Sequence, residues 1–414
     1  MRILMVSDFY APYVGGVEVL VGALSRELAR RGHSVAVATL GRDDLPPHAV
    51  EDGVRVHRLR GLAQRFDGLF AAPDRPWAPP APDPLLARGL AAVVRRERPD
   101  VVHGHDWLAR SYVPAARRGR RPALVHSLHY YTLRCSTKTL MRAGAPCAGP
   151  GPVRCLRCAG AHYGAPKGAL VAAAQLACSR LDLALVDRFL PVSEATAAGN
   201  GLRGARHRYR VIPNFVGPPG DAAPHRSLLA TLPGEPFLLF VGDLRRDKGV
   251  HVLLDAYRRL RRPAPLVLLG KVGPEGVPDL PDDARLLEGW PNAAVRAAMA
   301  SALALVAPSI WPEPFGIVVA EALAAGLPVV ASAAGGIPEV ARHEREALLV
   351  APGDAPALAR ALERIVGDEA LRERLARAAA LRAGAFTPEA VVPQFEAVYR
   401  ELLDARSAAS PRLG

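Results

Sequence analysis

A short apolar strand pattern over residues 3–7 runs through Gly15-Gly16 into a helical pattern from Val17 to Arg30, which Gly32 stops before a second apolar run, Val35 to Leu40. This strand–loop–helix–strand unit commits the chain to a parallel α/β sheet, because parallel strands need a crossover of that length to connect them. Further strands are expected at 54–58, 100–103, 123–128 and 184–186. A Pro- and Ala-rich loop over 71–84 precedes a helix starting near Pro84. Prolines and glycines then cluster between 213 and 236, in PNFVGPPGDAAP and LPGEP, and read as a hinge. After it the pattern begins again. FLLFVGDL enters a glycine turn, a helix follows over 249–261, and strands at 265–269, 284–287, 303–306 and 328–331 alternate with helical segments. Helices over 369–384 and 388–404 close the chain. Two parallel-sheet domains facing a deep cleft are therefore expected, with ligand loops at the strand ends.

The length of 414 residues suits two cores better than one, and an apolar fraction of 50% is enough to bury them. Lys and Arg total 53 against 40 for Asp and Glu. The resulting +13 suits phosphates, an anionic lipid face or a negatively charged substrate, and a drift of composition accounts for it equally well. The basic residues form no tail or unbroken block, and aromatics are only 6%, which argues against nucleic-acid binding. The N-terminal strand meets Asp8 before a signal-peptide core can form, and no uninterrupted apolar stretch reaches the length needed to span a bilayer. A cytoplasmic protein is expected, with peripheral contact on the inner face of the cell membrane left open.

Three segments carry chemistry. Gly15-Gly16, between a strand and a helix, can present amides and a helix dipole to phosphate; a plain tight turn explains the pair as well. Lys248 opens a helix beside Gly249, with Arg245 and Arg246 in the same turn; this suits a diphosphate, or is a solvated charge cluster. The third is Ser309 to Glu321. Gly316 lets backbone amides approach a ligand, and Glu313 and Glu321 can accept from vicinal hydroxyls. Glu321 lies in the most apolar stretch of the chain, where a carboxylate needs a partner.

Taken together, these residues carry a resemblance that covers almost the whole chain. Gly15-Gly16-Val17-Glu18, HGHD at 103–106, PVSEAT at 191–196, IPNF at 212–215, VGDLRRDKG at 241–249, EPFGIVVAEALAAGLPVV at 313–330 and GGIPE at 335–339 resemble the retaining nucleotide-sugar-dependent glycosyltransferases of glycosyltransferase family 4. The run from Glu313 is specific; the glycine pair and VSE are weak alone. The resemblance implies the GT-B fold of two Rossmann-like domains: 1–215 on the acceptor side with a cysteine-bearing insertion at about 130–165, 216–385 binding the nucleotide-sugar donor, and a 386–414 helix returning to the first domain.

By the same resemblance, Lys248 would hold the donor diphosphate and Glu313 the donor-sugar hydroxyls, with the amides of Phe315, Gly316 and Ile317 beside sugar and phosphate. Glu321 would bind the ribose, His105 would sit near the donor sugar, and Gly16 beside the diphosphate. The family commonly has arginine where this chain has Asp243, so either Arg245 or Arg246 would substitute or the diphosphate charge would rest mainly on Lys248 and helix dipoles. The loop around Trp290 would help select the base, and His129 and Tyr130 are acceptor-side candidates. Without the resemblance, His103 and His105 read better as buried partners of backbone carbonyls, and His105, beside Asp106, is the better placed of the two for a catalytic role. The implied reaction moves a sugar from a UDP- or GDP-linked donor to a hydroxyl on a small molecule, lipid or glycan. No cofactor is needed for the chemistry, and the nucleotide sugar is the co-substrate. A phosphorylase using the same cleft and a non-catalytic sugar-nucleotide-binding protein are the alternatives.

Four of the five cysteines, Cys135, Cys147, Cys155 and Cys158, fall in the insertion. The two-residue gap in Cys155–Cys158 is a chelating spacing, and a Gly/Pro-rich segment with little core of its own is where a structural zinc would supply folding energy. Disulfide, iron–sulfur and unligated thiols stay open. Cys178, in the helical AAAQLACS, is expected to pack as a small hydrophobe.

Overall fold

The computed structural model describes residues 1–12, 15–66, 78–112, 121–204, 209–217, 221–273, 276 and 279–409. The chain divides into two compact units. One comprises Met1–Leu140, Ala148–Pro213 and the chain from Val391; the other comprises Met141–Cys147 and Asn214–Ala390.

In the first unit, β1 (Arg2–Val6), α1 (Gly16–Arg30) and β2 (Ser34–Leu40) form the crossover that the opening sequence dictates, with Ile3 in register with Val35. β3 (His48–Glu51) and β4 (Val54–Leu59) follow, then α2 (Pro84–Glu97), β5 (Val101–Gly104) and β6 (Ala123–Leu128). The start of α2 is fixed locally: the Asp83 carboxylate accepts from the amides of Leu85 and Leu86, and Pro84 is preset for the first helical position. Half of the Pro/Ala-rich loop expected over 71–84, residues 71–77, lies outside the described residues.

The insertion supplies a small hairpin, β7 (Met141–Arg142) and β8 (Ala145–Pro146), and two helices, α3 (Pro152–Tyr163) and α4 (Ala165–Leu185). Residues 184–186, expected as a strand, instead close α4, and the strand comes later as β9 (Arg188–Pro191). The reason is ambiguity in the short apolar run, which helix and strand fit alike; Asp182, buried against Arg110, anchors this last turn of α4. α5 (Glu194–Gly199) follows, capped by Ser193. The sheet runs β3-β4-β2-β1-β5-β6-β9, with only β3 antiparallel. Its interior strands are buried along nearly their whole length, as a sheet covered on both faces must be.

The second unit repeats the plan. A one-turn helix, α6 (Arg226–Leu229), leads to β10 (Phe237–Val241), α7 (Val250–Arg258), β11 (Leu266–Leu269), β12 (Ala284–Leu287), α8 (Asn292–Met299), β13 (Ala302–Ala307), α9 (Ile317–Ala324), β14 (Val329–Ser332), α10 (Ile337–Val340) and β15 (Ala347–Val350). α11 (Ala355–Gly367), α12 (Glu369–Ala383) and α13 (Pro388–Ala409) complete it, the last crossing back into the first unit. The sheet order is β12-β11-β10-β13-β14-β15, and every pairing is parallel. Leu238, Phe240, Leu253, Leu266, Val306, Leu358 and Leu362 form the centre of its core.

Candidate active site

Each unit gathers polar side chains where its parallel strands end. In the second unit the 3-10 turn Arg246–Lys248 follows β10, and its Asp247 carbonyl accepts from the amides of Ile310 and Trp311 at 3.0 and 3.2 Å. This ties the turn after β10 to the loop after β13. Gly249, at φ +75°, permits the approach: a Cβ there would lie 1.9 Å from the Pro308 carbonyl oxygen. Lys248 Nζ consequently reaches Glu313 Oε1 at 2.7 Å and lies 4.9 Å from the Trp311 ring centroid. Ser309 Oγ donates to the same carboxylate oxygen, also at 2.7 Å. The Glu313 carbonyl is fixed by the Gly336 amide at 2.7 Å.

Gly316, in the left-handed region at φ +87°, caps α9 and accepts at its carbonyl from the Val319 and Ala320 amides at 3.0 and 3.3 Å, so Ile317 and Val318 head the helix as its end amides. Glu321 lies one turn further on, half-buried. Burial pushes its carboxyl pKa up, with Asn292 and Arg296 opposing, and Asn292 Nδ2 donates to it at 3.3 Å. The expected need of this carboxylate for a partner is thus met across α8 and α9. Phe315 contributes its backbone only, since its ring packs edge-on against Phe386 in the core at 5.5 Å between centroids. Arg245 is held by Asp247 at 2.6 Å; Asp243 and Arg246 are exposed in the same turn. Trp290 sits on the loop between β12 and α8, half-buried.

The first unit brings together histidines from β5, β6 and the loops after them. His103 is within 2.7 Å of Tyr399 Oη and 2.8 Å of Ser127 Oγ. His105 Nδ1 lies 3.0 Å from His129 Nε2. Burial, reinforced by the neighbouring imidazoles, holds His103 and His105 well below the usual histidine pKa; burial and Arg110 bring His126 down to about 3. These imidazoles are neutral at neutral pH. His103 therefore serves the fold through Tyr399 and Ser127, whereas His105 Nε2 is buried with no hydrogen-bond partner among the described residues.

Beside them is a charged group that the sequence did not signal. Lys138, from the insertion, lies 3.4 Å from Asp8 and 3.5 Å from Asp106, with its ammonium 4.3 Å from the Trp107 ring centroid. Burial raises the Asp106 pKa to about 7 against the pull of Lys138, with the Asp8 and Glu18 charges adding to the rise. Asp8 Oδ1 also accepts from the Leu108 amide at 2.7 Å. Asp8 and Asp106 each follow an apolar strand, a placement that could have flagged them; Lys138 carried no such signal. Gly15 caps α1 and Gly16 is its first residue, and Tyr130 lies next to His129, its carbonyl accepting from Asn200.

The cysteines do not assemble as a four-thiolate site. Among the described residues no three His, Cys, Asp or Glu side chains converge as metal ligands. Cys135 Sγ accepts from the Leu140 amide and Cys155 Sγ from the Gly151 amide, Cys155 and Cys158 ride one turn apart on α3, and Cys147 groups with the second unit. The spacing suits zinc, but the donors are not gathered for it. Cys178 is buried in α4.

Comparison with known proteins agrees with this arrangement. Residues 15–214 match the family described as glycosyl transferase 4-like domain, and residues 226–382 match glycosyl transferases group 1. Glycogen synthase of Mycobacterium tuberculosis is 30% identical over 92% of this chain and 90% of its own length. D-inositol 3-phosphate glycosyltransferase of Nocardioides sp. is 30% identical over 96% and 89%. In fold, sucrose-phosphate synthase of Thermosynechococcus elongatus superposes with a TM-score of 0.75 at 22% identity, covering 98% of this chain and 100% of that one. Anabaena HepE, solved in complex with UDP-glucose, gives a TM-score of 0.66 at 18% identity over 97% and 99%. With two parallel-sheet units, each gathering its polar groups at the strand ends, the chain belongs to the family 4 glycosyltransferases of the GT-B fold.

Proposed function

We propose that this enzyme transfers a glycosyl group from a nucleoside diphosphate sugar to an acceptor hydroxyl with retention of anomeric configuration. The observation that carries this reading is the Lys248–Glu313 contact at 2.7 Å, set beside the N-terminus of α9 with Glu321 one turn along. One cation, a set of helix-end amides and two carboxylates at that spacing match the parts of such a donor. Lys248 and the α9 amides neutralise charge developing on the leaving diphosphate, Glu313 accepts from sugar hydroxyls, and Glu321 accepts from the ribose.

Donor arrival would divide the Lys248–Glu313 pair between phosphate and sugar, so the pair acts as a placeholder that keeps both side chains oriented. The leaving phosphate oxygen takes the acceptor proton on the face where the new bond forms, and no protein base is required. His105 Nε2 offers a neutral hydrogen-bonding atom to a sugar hydroxyl. The acceptor is a hydroxyl compound received by the first unit.

The test is incubation of the protein with UDP-, GDP- and ADP-sugars and an acceptor panel, following release of nucleoside diphosphate and the anomeric configuration of the product. Release without added phosphate, and its loss in Glu313→Ala with an unchanged circular dichroism spectrum, are expected. A strict requirement for inorganic phosphate, an inverted product, or full activity of Glu313→Ala would overturn the reading.

A further inference from the structure

From Trp107 to Leu181 the sequence contains no aspartate or glutamate, against twelve arginines and lysines. That one stretch accounts for twelve of the thirteen net positive charges, and the rest of the chain is close to neutral. Arg110, Arg121 and Lys138 pair with acids outside the stretch, and Arg154, Arg157, Lys167 and Arg180 are the cations carried by α3 and α4.

Within this stretch lie α3 and α4, which present apolar side chains to solvent. Four of the eight large exposed hydrophobic residues among those described are here: Val153 at 62%, Leu156 at 45%, Leu170 at 66% and Leu176 at 44% exposure. α4 is two-faced. Val171, Ala172, Gln175, Cys178 and Asp182 point inward, while Leu170, Ala173, Leu176, Ala177 and Arg180 fall on one outward stripe at helical spacing.

That presentation is fixed by the inner face. The buried Arg110 guanidinium donates to Asp182 at 2.9 Å, to Gln175 at 2.8 Å and to the Pro80 carbonyl at 2.7 Å. At the crossing of the two helices a Cβ on Gly168 would lie 2.4 Å from the Ala159 carbonyl, so the backbones are in contact. Tyr163 Oη donates to the Ser136 carbonyl at 2.8 Å, fastening the end of α3.

The chemistry selects the occupant. A nucleic acid would use the cations and leave the leucines idle; an apolar protein face would use the leucines and leave the cations unpaired. A bilayer with anionic headgroups uses both, taking the apolar side chains into the headgroup boundary and pairing Arg157 and Arg180 with lipid phosphate. α4 is long and apolar enough to cross a membrane by composition, with a mean hydropathy of 1.3 over its best window. Its buried polar inner face, committed to Arg110, makes it a helix that lies on the surface instead. We propose that the α3–α4 hairpin is a docking surface for an anionic membrane.

The test is flotation of the full chain with vesicles of phosphatidylglycerol in phosphatidylcholine, and with pure phosphatidylcholine, at low and high salt. Binding to the anionic vesicles is expected, at least about tenfold weaker on neutral ones and weakened by salt. Leu170→Gln/Leu176→Gln and Arg157→Gln/Arg180→Gln should each lower bound protein by about fivefold or more, with unchanged circular dichroism, melting temperature and donor turnover. Failure to float, equal flotation on neutral vesicles, or variants floating like the parent would overturn the proposal. So would a solution dimer that the leucine variant dissolves without any vesicle binding.

Discussion

His105 Nδ1 and His129 Nε2 are 3.0 Å apart, and the two rings stack 5.4 Å between centroids. A neutral imidazole carries one N–H, so His105 either donates from Nδ1 and leaves Nε2 bare, or accepts there and carries its proton on Nε2. If His129 is the donor, His129→Gln, which keeps an amide N–H near that position, should retain turnover within about fivefold, while His129→Phe should lose about tenfold or more. The nitrogen-15 shifts of His105 report the tautomer directly. Equal activity of both variants with unchanged shifts would remove His129 from any positioning role.

Acid should unfold this protein early. His103, His105 and His126 have folded-state pKa values below the unfolded value near 6.5, so once pH falls below about 6.5 the unfolded chain binds protons that the native state refuses, and stability drops. Asp106, raised to about 7, acts in the opposite sense, because its native form binds a proton where the unfolded one does not. Three histidines against this one carboxyl leave the unfolded state favoured as pH falls below about 6.5. Melting temperatures between pH 7.5 and 5 check this, and a flat profile would contradict it.

The Lys248–Glu313 pair should matter for turnover and little for folding. Lys248 is 30% exposed and Glu313, 12% exposed, keeps the Ser309 hydroxyl as a partner, so breaking the pair is expected to cost about 1–2 kcal/mol. Lys248→Ala and Glu313→Ala are each expected to lower kcat/KM by about a hundredfold or more, as loss of a charge-stabilising group does. Ser309→Ala, removing one hydrogen bond to Glu313, should cost about tenfold. A urea midpoint that fell as steeply as activity would recast the pair as structural.

The grouping in the second unit was legible because it is local. Glu313, Gly316 and Glu321 sit within nine residues, and a strand, a turn and a helix place them whatever the rest of the chain does. Lys248 needed only the next crossover. The first unit was harder: His105 could be read as a strand-end residue, but Lys138 reaches Asp8 and Asp106 across 130 and 32 positions of sequence from a segment whose backbone is irregular. No periodicity encodes such a contact. Spacing misled at the cysteines, where Cys155 and Cys158 lie on a helix and their neighbours are not brought to them.

Two left-handed glycines should respond very differently to alanine. At Gly249 the new methyl meets the Pro308 carbonyl oxygen, a backbone atom that cannot give, in addition to the cost of φ +75°. About 2–4 kcal/mol of stability should be lost. At Gly316 the nearest atom is Ile337 Cγ1 at 3.0 Å, the flank of a side chain, and about 1–2 kcal/mol is expected. Urea unfolding distinguishes the two, and the reverse order would mean that the loop after β13 yields more readily than the turn before α9.

Arg110 is a buried cation of the first unit. Its guanidinium is 2% exposed and joins Asp182 to Gln175 and two backbone carbonyls. Burial raises the Asp182 pKa and Arg110 draws it back, so deleting the cation leaves a carboxyl group that must take up a proton or drag in water. Arg110→Met should therefore cost about 3–5 kcal/mol, and Arg110→Met/Asp182→Leu substantially less, since no lone charge remains. Limited proteolysis adds a second reading: the single variant should be cut within 150–185 sooner than the parent, because the inner face of α4 has lost its anchor, and the double variant should resist. If the single and double variants were equally unstable, the hydrogen bonds of Arg110 to Gln175, Pro80 and Thr132 would outweigh its ion pair.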